Sequence, residues 1–206
     1  MSFYATHIKF AIDIKDKYQI KDLSHYISGS IYPDSHYITK IDKNLTHNES
    51  VLSFDFLNTD FKCGWQAHFI CDLIQEEISK YILPEICFEA NNEKSYTGIA
   101  SIKIVQDMFD VKNFDLNYYL SFLDYVENPN NENINKVIEY NKLIKNTYLN
   151  KSECKIDDYR KIIEAFSLEK ILVEETLKKA QELLSDYEKL EKVKLIYNLM
   201  LKIYNK

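Results

Sequence analysis

The chain has 206 residues, a length that suits one domain with a sizeable core, and it contains only three glycines and three prolines. Its net charge of −6 argues against binding long duplex nucleic acid, because a phosphate backbone requires clustered lysine and arginine. No segment reaches the roughly 18 consecutive apolar residues of a transmembrane helix, and the first residues lack the basic and apolar regions of a secretory signal. We therefore expect a cytoplasmic protein without a transmembrane segment.

Apolar residues recur at helical spacing along most of the chain, which predicts an all-α fold. In the first half, the predicted helices cover 3–13, 19–28, 60–83 and 95–110. Gly29 is expected to end the second helix in a left-handed conformation, and Pro84 is expected to stop or kink the third. Pro33 and Asp34 mark a turn or a new helix start, and residues 35–59 are expected to be less regular.

In the second half, the predicted helices cover 114–127, 132–148, 156–166 and 168–204. The last carries an apolar stripe from Leu172 to Tyr204, flanked by Glu and Lys. The stripe predicts a helix packed on the rest of the protein, and a coiled-coil seam that forms a homodimer is the alternative. We expect a single helical domain, with a metal-binding core in 1–110 and additional packed helices in 111–206.

All five histidines lie within the first 68 residues, and three of them, His7, His47 and His68, recur with the carboxylates Asp34 and Asp72. Neutral imidazoles and carboxylates from separate segments are what a metal centre requires. His68 and Asp72 are four residues apart in a predicted helix, so they project from one face, about 6 Å apart at their Cβ atoms. Each residue also has a simpler interpretation, such as a helix cap for Asp34 or an exposed loop position for His47.

The residues around these histidines and aspartates form short motifs that follow one another in a definite order. An early histidine on a helix is followed by the turn Gly29-Ser-Ile-Tyr-Pro-Asp34, by Thr46-His47, and by Gly64-Trp-Gln-Ala-His-Phe-Ile-Cys-Asp72. Over about residues 5–75 this order resembles the bacterial zinc-dependent phospholipase C family and its relatives, which include the P1-type nucleases. The resemblance implies a phospholipase C-like helical domain with a C-terminal helical extension, and residues beyond about 110 have no recognisable match.

The resemblance also implies a ligand set. Asp34, His47, His68 and Asp72 would bind one ion, and Asp72 would bridge to a second ion that His7 also binds. Asp34 would additionally orient or deprotonate the attacking water, which makes it the predicted catalytic residue. Zinc is the expected metal, although imidazole and carboxylate ligands also suit iron, manganese or cobalt. The implied activity is metal-dependent hydrolysis of a phosphoric ester or diester in a small phosphorylated substrate.

The chain departs from this family after His68, because no later histidine exists to complete a third zinc site. Secreted family members also use the free amine of an N-terminal tryptophan, and Phe3 and Tyr4 stand near the start here. One or two ions are therefore expected, unless later carboxylates contribute. The candidates for that role are Glu76, Asp107 and Asp110. His36 is a candidate to line the site or to hydrogen-bond a ligand, and His25 is expected to be structural.

Several other functional classes are recognised by sequence motifs. HD-domain phosphohydrolases need an adjacent His-Asp pair, which this sequence lacks, and no P-loop, GxSxG or GxGxxG motif is present. The four cysteines show no CxxC pairing; Cys63 and Cys71 are close to the predicted ligands in sequence, yet buried reduced thiols are the expectation. The remaining alternative is a non-catalytic helical protein with a bracing metal site and a partner-binding C-terminal helix.

Overall fold

The structure is a computed structural model that describes residues 3–47, 49–53, 59–89, 93–166 and 168–205. Within these ranges it contains 11 α-helices and no β-strand, so the all-α prediction is confirmed. The α-helices are α1 Tyr4–Ile14, α2 Leu23–Ile31, α3 His36–Thr39, α4 Asp60–Ile82, α5 Pro84–Cys87, α6 Tyr96–Asn113, α7 Leu116–Leu120, α8 Ile134–Tyr148, α9 Ile156–Ala165, α10 Lys170–Ser185 and α11 Tyr187–Tyr204. Short 3-10 turns cover Lys15–Tyr18, Tyr32–Ser35, Lys43–Leu45, Glu49–Ser53 and Ser121–Asp124.

Gly29 does not end α2, because the helix continues to Ile31 and no glycine has a positive φ. A Cβ on Gly29 would lie 2.0 Å from the backbone oxygen of Phe61, and one on Gly64 would lie 1.9 Å from that of Tyr26. Both glycines therefore let the backbones of α2 and α4 touch where the helices cross. The predicted left-handed stop at Gly29 is wrong, and close helix packing is the physical reason for the residue.

Two predicted helices in the second half are divided. The region 114–127 contains only the short α7 and the turn Ser121–Asp124. The predicted helix 168–204 is interrupted at Asp186, whose backbone is extended and whose side chain accepts a hydrogen bond from the Lys189 amide to cap α11. The apolar stripe nevertheless turns inward, since Leu177 on α10 and Met200 on α11 are buried.

Two clusters of buried apolar side chains organise the chain. The larger one extends from Phe3, before α1, to Met200 in α11, so helices from both halves contribute to it. The smaller one packs the turn Glu49–Ser53 against α4, and its members are Tyr32, Val51, Phe61, Trp65 and Phe69. Among the described helices, none is both long and apolar enough to cross a membrane.

Candidate metal centre

The predicted site residues converge from four parts of the chain. His7 lies on α1, Asp34 in the 3-10 turn after α2, His47 after the turn Lys43–Leu45, and His68 and Asp72 on α4. His36, the first residue of α3, lies beside them. Three overlapping groups have potential ligand atoms within 4.8 Å of one another. They are His7–Asp34–His68, Asp34–His36–His47 and His47–His68–Asp72.

The distances within these groups are close to those of a metal centre. His47 Nε2 is 3.4 Å and His68 Nε2 is 3.9 Å from Asp34 Oδ1. Asp72 lies 3.6 Å from His68 Nε2 and 4.0 Å from His7 Nε2. Two ligands of a tetrahedral zinc ion with bonds of about 2.1 Å are roughly 3.4 Å apart. Shifts of less than about 1 Å would therefore bring these atoms to coordination distance.

The hydrogen bond of His68 determines which ring nitrogen faces the centre. Its Nδ1 lies 2.8 Å from the backbone oxygen of Ser30. A carbonyl oxygen can only accept, so Nδ1 carries the proton and Nε2 presents a lone pair. That lone pair is directed toward Asp34 and Asp72, in the orientation that a metal-binding histidine adopts when its other nitrogen is hydrogen-bonded.

His47 and His36 are also hydrogen-bonded through Nδ1. His47 Nδ1 lies 2.9 Å from the hydroxyl of Thr46, and that hydroxyl donates its only proton to the Lys43 carbonyl. Thr46 must therefore accept from His47 Nδ1, so the ring nitrogen of His47 that faces Asp34, at 3.4 Å, is Nε2. His36 Nδ1 donates to the Pro33 carbonyl at 2.9 Å, so its Nε2 also presents a lone pair. Nε2 of His36 and Nε2 of His68 are thus available as electron-pair donors beside Asp34.

Several buried polar atoms at the centre have no hydrogen-bond partner among the described residues. These atoms are both ring nitrogens of His7, Nε2 of His68 and both carboxylate oxygens of Asp34. The His7 and His68 rings are stacked, with centroids 3.7 Å apart. An unpaired buried polar group costs about 1–3 kcal/mol, and a lone pair facing a carboxylate adds repulsion. A bound cation would remove both costs, so the donor set fits a metal ion.

The electrostatic environment favours the protonation states that ligands need. Burial lowers the pKa of His68 to about 4, against the opposing effect of the nearby carboxylates. Burial also holds the pKa of His7 well below its usual value, and neighbouring His68 adds to this. Burial would raise the pKa of Asp34, but the approach of His47 and His68 outweighs it, so the pKa falls below its usual range. At neutral pH both imidazoles are neutral and Asp34 is ionised.

Lys103 on α6 is a site residue that the sequence did not predict. Its side chain is 1% exposed, and its ammonium lies 2.9 Å from Asp72 Oδ1. Burial would raise the pKa of Asp72, but Lys103 is the main cause that lowers it well below the usual value. The available signal was a lysine within the apolar run Ile102-Lys103-Ile104-Val105 of a helix, where a charged residue is rarely buried unless it is paired.

The motif tryptophan positions the loop that carries His47. Trp65 donates from its indole nitrogen to the Thr46 carbonyl at 2.8 Å. The next residue, Gln66, donates to the carbonyls of Val51 and Leu52, which fastens the following turn to the same helix. The aromatic residue of this motif therefore acts on the centre through the loop backbone.

The later carboxylates that were candidates for additional metal ligands bind other side chains instead. Glu76 pairs with Lys94 at 2.6 Å and with Lys80 at 3.0 Å. Asp110 pairs with Lys9 at 3.0 Å, and Asp107 accepts hydrogen bonds from Thr6, Tyr148 and Tyr159. Among the described residues, none of these carboxylates belongs to a group that could hold an ion with the histidines.

His25 and the cysteines lie outside the centre. The His25 ring stacks on Tyr125 at 3.7 Å and approaches Asp22 and Glu127, and its structural role stays a prediction. All four cysteines are free and buried. Within the described part of the chain, no group of potential metal ligands includes a cysteine, so Cys63 and Cys71 are not brought to the centre.

No protein-family model matches this chain, and neither a curated protein nor a solved structure matches it. The resemblance to zinc-dependent phospholipase C therefore depends on the motifs of residues 5–75 alone, and it stays a prediction. The fold and the site together define an all-α protein with a buried to half-buried cluster of histidines and aspartates.

Proposed function

We propose that this protein is a metal-dependent hydrolase of phosphoric esters, with His7, Asp34, His47, His68 and Asp72 as ligands of one or two ions. The observation that carries the proposal is the direction of the histidine lone pairs. Nε2 of His68 faces carboxylate oxygens of Asp34 and Asp72 at 3.6–3.9 Å with no proton between them. His36 also presents an Nε2 lone pair beside Asp34. A purely structural hydrogen-bond network would place a donor opposite each carboxylate, whereas a metal centre needs this arrangement of acceptors.

The chemistry follows from the ligand types. Bound zinc, iron, manganese or cobalt would polarise a phosphoryl oxygen and lower the pKa of a coordinated water. Asp34 has two oxygens without a hydrogen-bond partner among the described residues, so one can ligate while the other accepts the proton of the attacking water. His36 places a further acceptor beside Asp34 and His47. The acidic balance of the chain favours a small phosphorylated substrate, an ester or diester, over long duplex nucleic acid.

The test is metal content per chain by mass spectrometry, together with hydrolysis of bis(p-nitrophenyl) phosphate. Protein purified without chelator is expected to hold one or two equivalents and to hydrolyse the diester. Asp34→Asn is expected to retain its fold and most of its metal but to lose at least about 100-fold in rate, because the proton acceptor is gone. His25→Gln is the control, since this histidine lies outside the centre, and it should leave both readouts unchanged.

Two results would overturn the proposal: absence of bound metal after incubation with zinc and manganese, or full activity of Asp34→Asn. The burial of the centre favours a second candidate, a metal site that braces the helices without catalysis, because the side chains of His7 and His68 are fully buried. In that case the wild type binds metal without hydrolysing the diester, and Asp34→Asn mainly lowers the melting temperature.

A further inference from the structure

A cavity of about 420 Å³ lies beside the candidate metal centre, between α3, α6, α9 and α10. This volume falls within the range of roughly 300–1,000 Å³ that is typical of small-molecule sites. Much of its lining comes from residues 96–176, beyond the segment that carries the family resemblance. The cavity is therefore a feature of this chain that the motifs do not account for.

The walls of the cavity are mainly apolar. Tyr37 and Phe166 form one side, with ring centroids 4.2 Å apart. Leu168 and Tyr96 are exposed at the cavity, and Tyr96 is 76% accessible to solvent. The other apolar walls include Phe3, Ile99, Ile163 and Leu172. Such a surface binds an organic group through burial of apolar area.

One end of the cavity shares its wall with the metal centre. Lys103 lines the cavity and also lies 2.9 Å from Asp72. Tyr37 lines it too, and its ring is 3.9 Å from the ring of His36. A molecule in the cavity therefore contacts side chains that directly touch the candidate centre.

The same end carries positive charge. Lys43, Lys94 and Lys103 line the cavity together with Glu76, whose carboxylate is already paired with Lys94. Lys43 is exposed, and within the described ranges its ammonium makes no ion pair. Lys94 is paired with Glu76 and Lys103 with Asp72, so among the described residues the charge of Lys43 is left without a carboxylate partner beside the apolar chamber. The complementary ligand is an anion with an apolar substituent.

We propose that this cavity binds the apolar group of an aryl or short-chain alkyl phosphoric ester, with its phosphate at the Lys43 and Lys103 end, next to the metal centre. The inference rests on the proposed function and names the substrate class for it. The apolar walls bury the organic group, and the ammonium of Lys43 attracts the anion to the end of the cavity next to the centre. The ester bond to be cleaved then lies at the junction between the chamber and the centre.

The test is calorimetric titration of the zinc-loaded full chain with phenylphosphonate and with methylphosphonate, two anions that carry no hydrolysable ester. Phenylphosphonate is expected to bind at least tenfold more tightly, because only its ring fills the chamber. Ala100→Phe, which fills the chamber from α6, is expected to abolish this preference while leaving zinc content and methylphosphonate affinity unchanged. The matched control is Ala165→Phe, which enlarges an equally half-buried alanine that lines a separate groove beside α8.

Each outcome has a distinct meaning. Equal affinity for the two anions, or a preference that survives in Ala100→Phe, overturns the cavity inference and leaves the proposed hydrolase intact. If zinc-loaded protein binds neither anion, the proposed function fails together with this inference. Lys43→Gln provides a test that does not depend on core packing, since Lys43 is exposed. Lys43→Gln is expected to lower the affinity for both anions several-fold. Unchanged affinities would overturn the placement of the phosphate at the Lys43 end of the cavity.

Discussion

Lys103 holds a buried ammonium against Asp72, a proposed metal ligand, and this contact couples the centre to α6. Breaking such a pair by removing one partner costs about 3–5 kcal/mol, because the remaining charge stays buried. The pair also means that Asp72 is anionic whether or not a metal is bound. Asp72, a proposed ligand, is therefore stabilised by a side chain 31 positions further along the chain.

Lys103→Met is expected to destabilise the metal-free protein by about 3 kcal/mol, because Asp72 loses the buried ammonium that lies 2.9 Å from it. Saturating zinc should recover part of this loss, since the ion supplies positive charge next to the same carboxylate. Urea unfolding with zinc and with chelator measures both values. Lys94→Met, which removes a more exposed ion pair with Glu76, is the control and should cost less than about 1 kcal/mol. An equal loss for Lys103→Met in both conditions would contradict the proposed position of the ion.

Asp107 is a second buried acid, and it anchors α1 next to His7. It accepts hydrogen bonds from the Thr6 amide at 2.8 Å and from the hydroxyls of Tyr148 and Tyr159 at 2.9 and 2.8 Å. Burial nevertheless raises its pKa to about 7, because desolvation outweighs these three donors. The carboxyl therefore holds a proton more tightly in the folded state than in the unfolded chain.

This raised pKa predicts a pH-dependent contribution to stability. The contribution is fully present below the unfolded pKa near 3.8 and is lost as the pH rises through about 7. Between pH 5 and pH 8, metal-free wild type should therefore lose stability relative to Asp107→Asn. The upper limit is about 4 kcal/mol for a shift of roughly three pKa units. Urea unfolding of both proteins across this range measures the difference, and parallel curves would exclude the raised pKa.

The crossing of α2 and α4 links the two sequence motifs of the centre. Gly29 and Gly64 bring the helix backbones into contact, and this contact puts the Ser30 carbonyl within 2.8 Å of His68. The turn that carries Asp34 follows directly from the same end of α2. The glycines therefore set the distance between ligands of different helices, although neither glycine is a ligand.

Gly64→Ala is expected to force α4 away from α2, because its Cβ would lie 1.9 Å from a backbone oxygen that cannot move alone. The predicted effects are a loss of about 1–3 kcal/mol in unfolding free energy and a weaker zinc affinity, since His68 shifts relative to Ser30. Gly98→Ala is the matched control: its Cβ would lie 1.9 Å from the Ile86 oxygen, away from the centre. It should lower stability similarly and leave zinc affinity unchanged. Equal effects on zinc affinity would exclude the proposed role of the crossing.

For the whole molecule, a metal would connect segments that unfolding separates. The ligands lie on α1, in the turn after α2, in the loop before α4 and on α4, so an unfolded chain cannot reproduce the site. Zinc at 1,000 times its dissociation constant would therefore stabilise the native state by about 4 kcal/mol. This corresponds to a rise of roughly 8–16 °C in melting temperature for a chain of this size.

Thermal unfolding with zinc and with chelator measures this shift. His68→Ala, which removes the Nε2 ligand, is expected to melt at the same temperature in both conditions. A wild-type melting temperature that does not respond to zinc would contradict a metal site built from four segments. A large response in His68→Ala would show that zinc binds elsewhere.

The spacing of apolar residues along the chain was enough to predict much of the fold. Apolar spacing located α1, α4, α6, α8 and α9 to within a few residues, because a helix is stabilised by neighbours three and four positions apart. It did not separate α10 from α11, since Asp186 interrupts a stripe that stays apolar on both sides. It also misread Gly29, because a residue that permits close packing looks the same in sequence as one that ends a helix.

The candidate centre, like the fold, could be predicted only in part from the sequence. By itself, the sequence determined an all-α chain and a set of three histidines and two aspartates in a recognisable order. Both depend only on residue types and on spacings between nearby residues. Only the tertiary structure decided that these side chains meet, that the Nε2 lone pair of His68 faces the carboxylates, and that Lys103 and an apolar cavity lie beside them. Those features depend on contacts between residues 31 to 101 positions apart in the chain. Such contacts produce no periodic pattern in the local sequence from which they could be predicted.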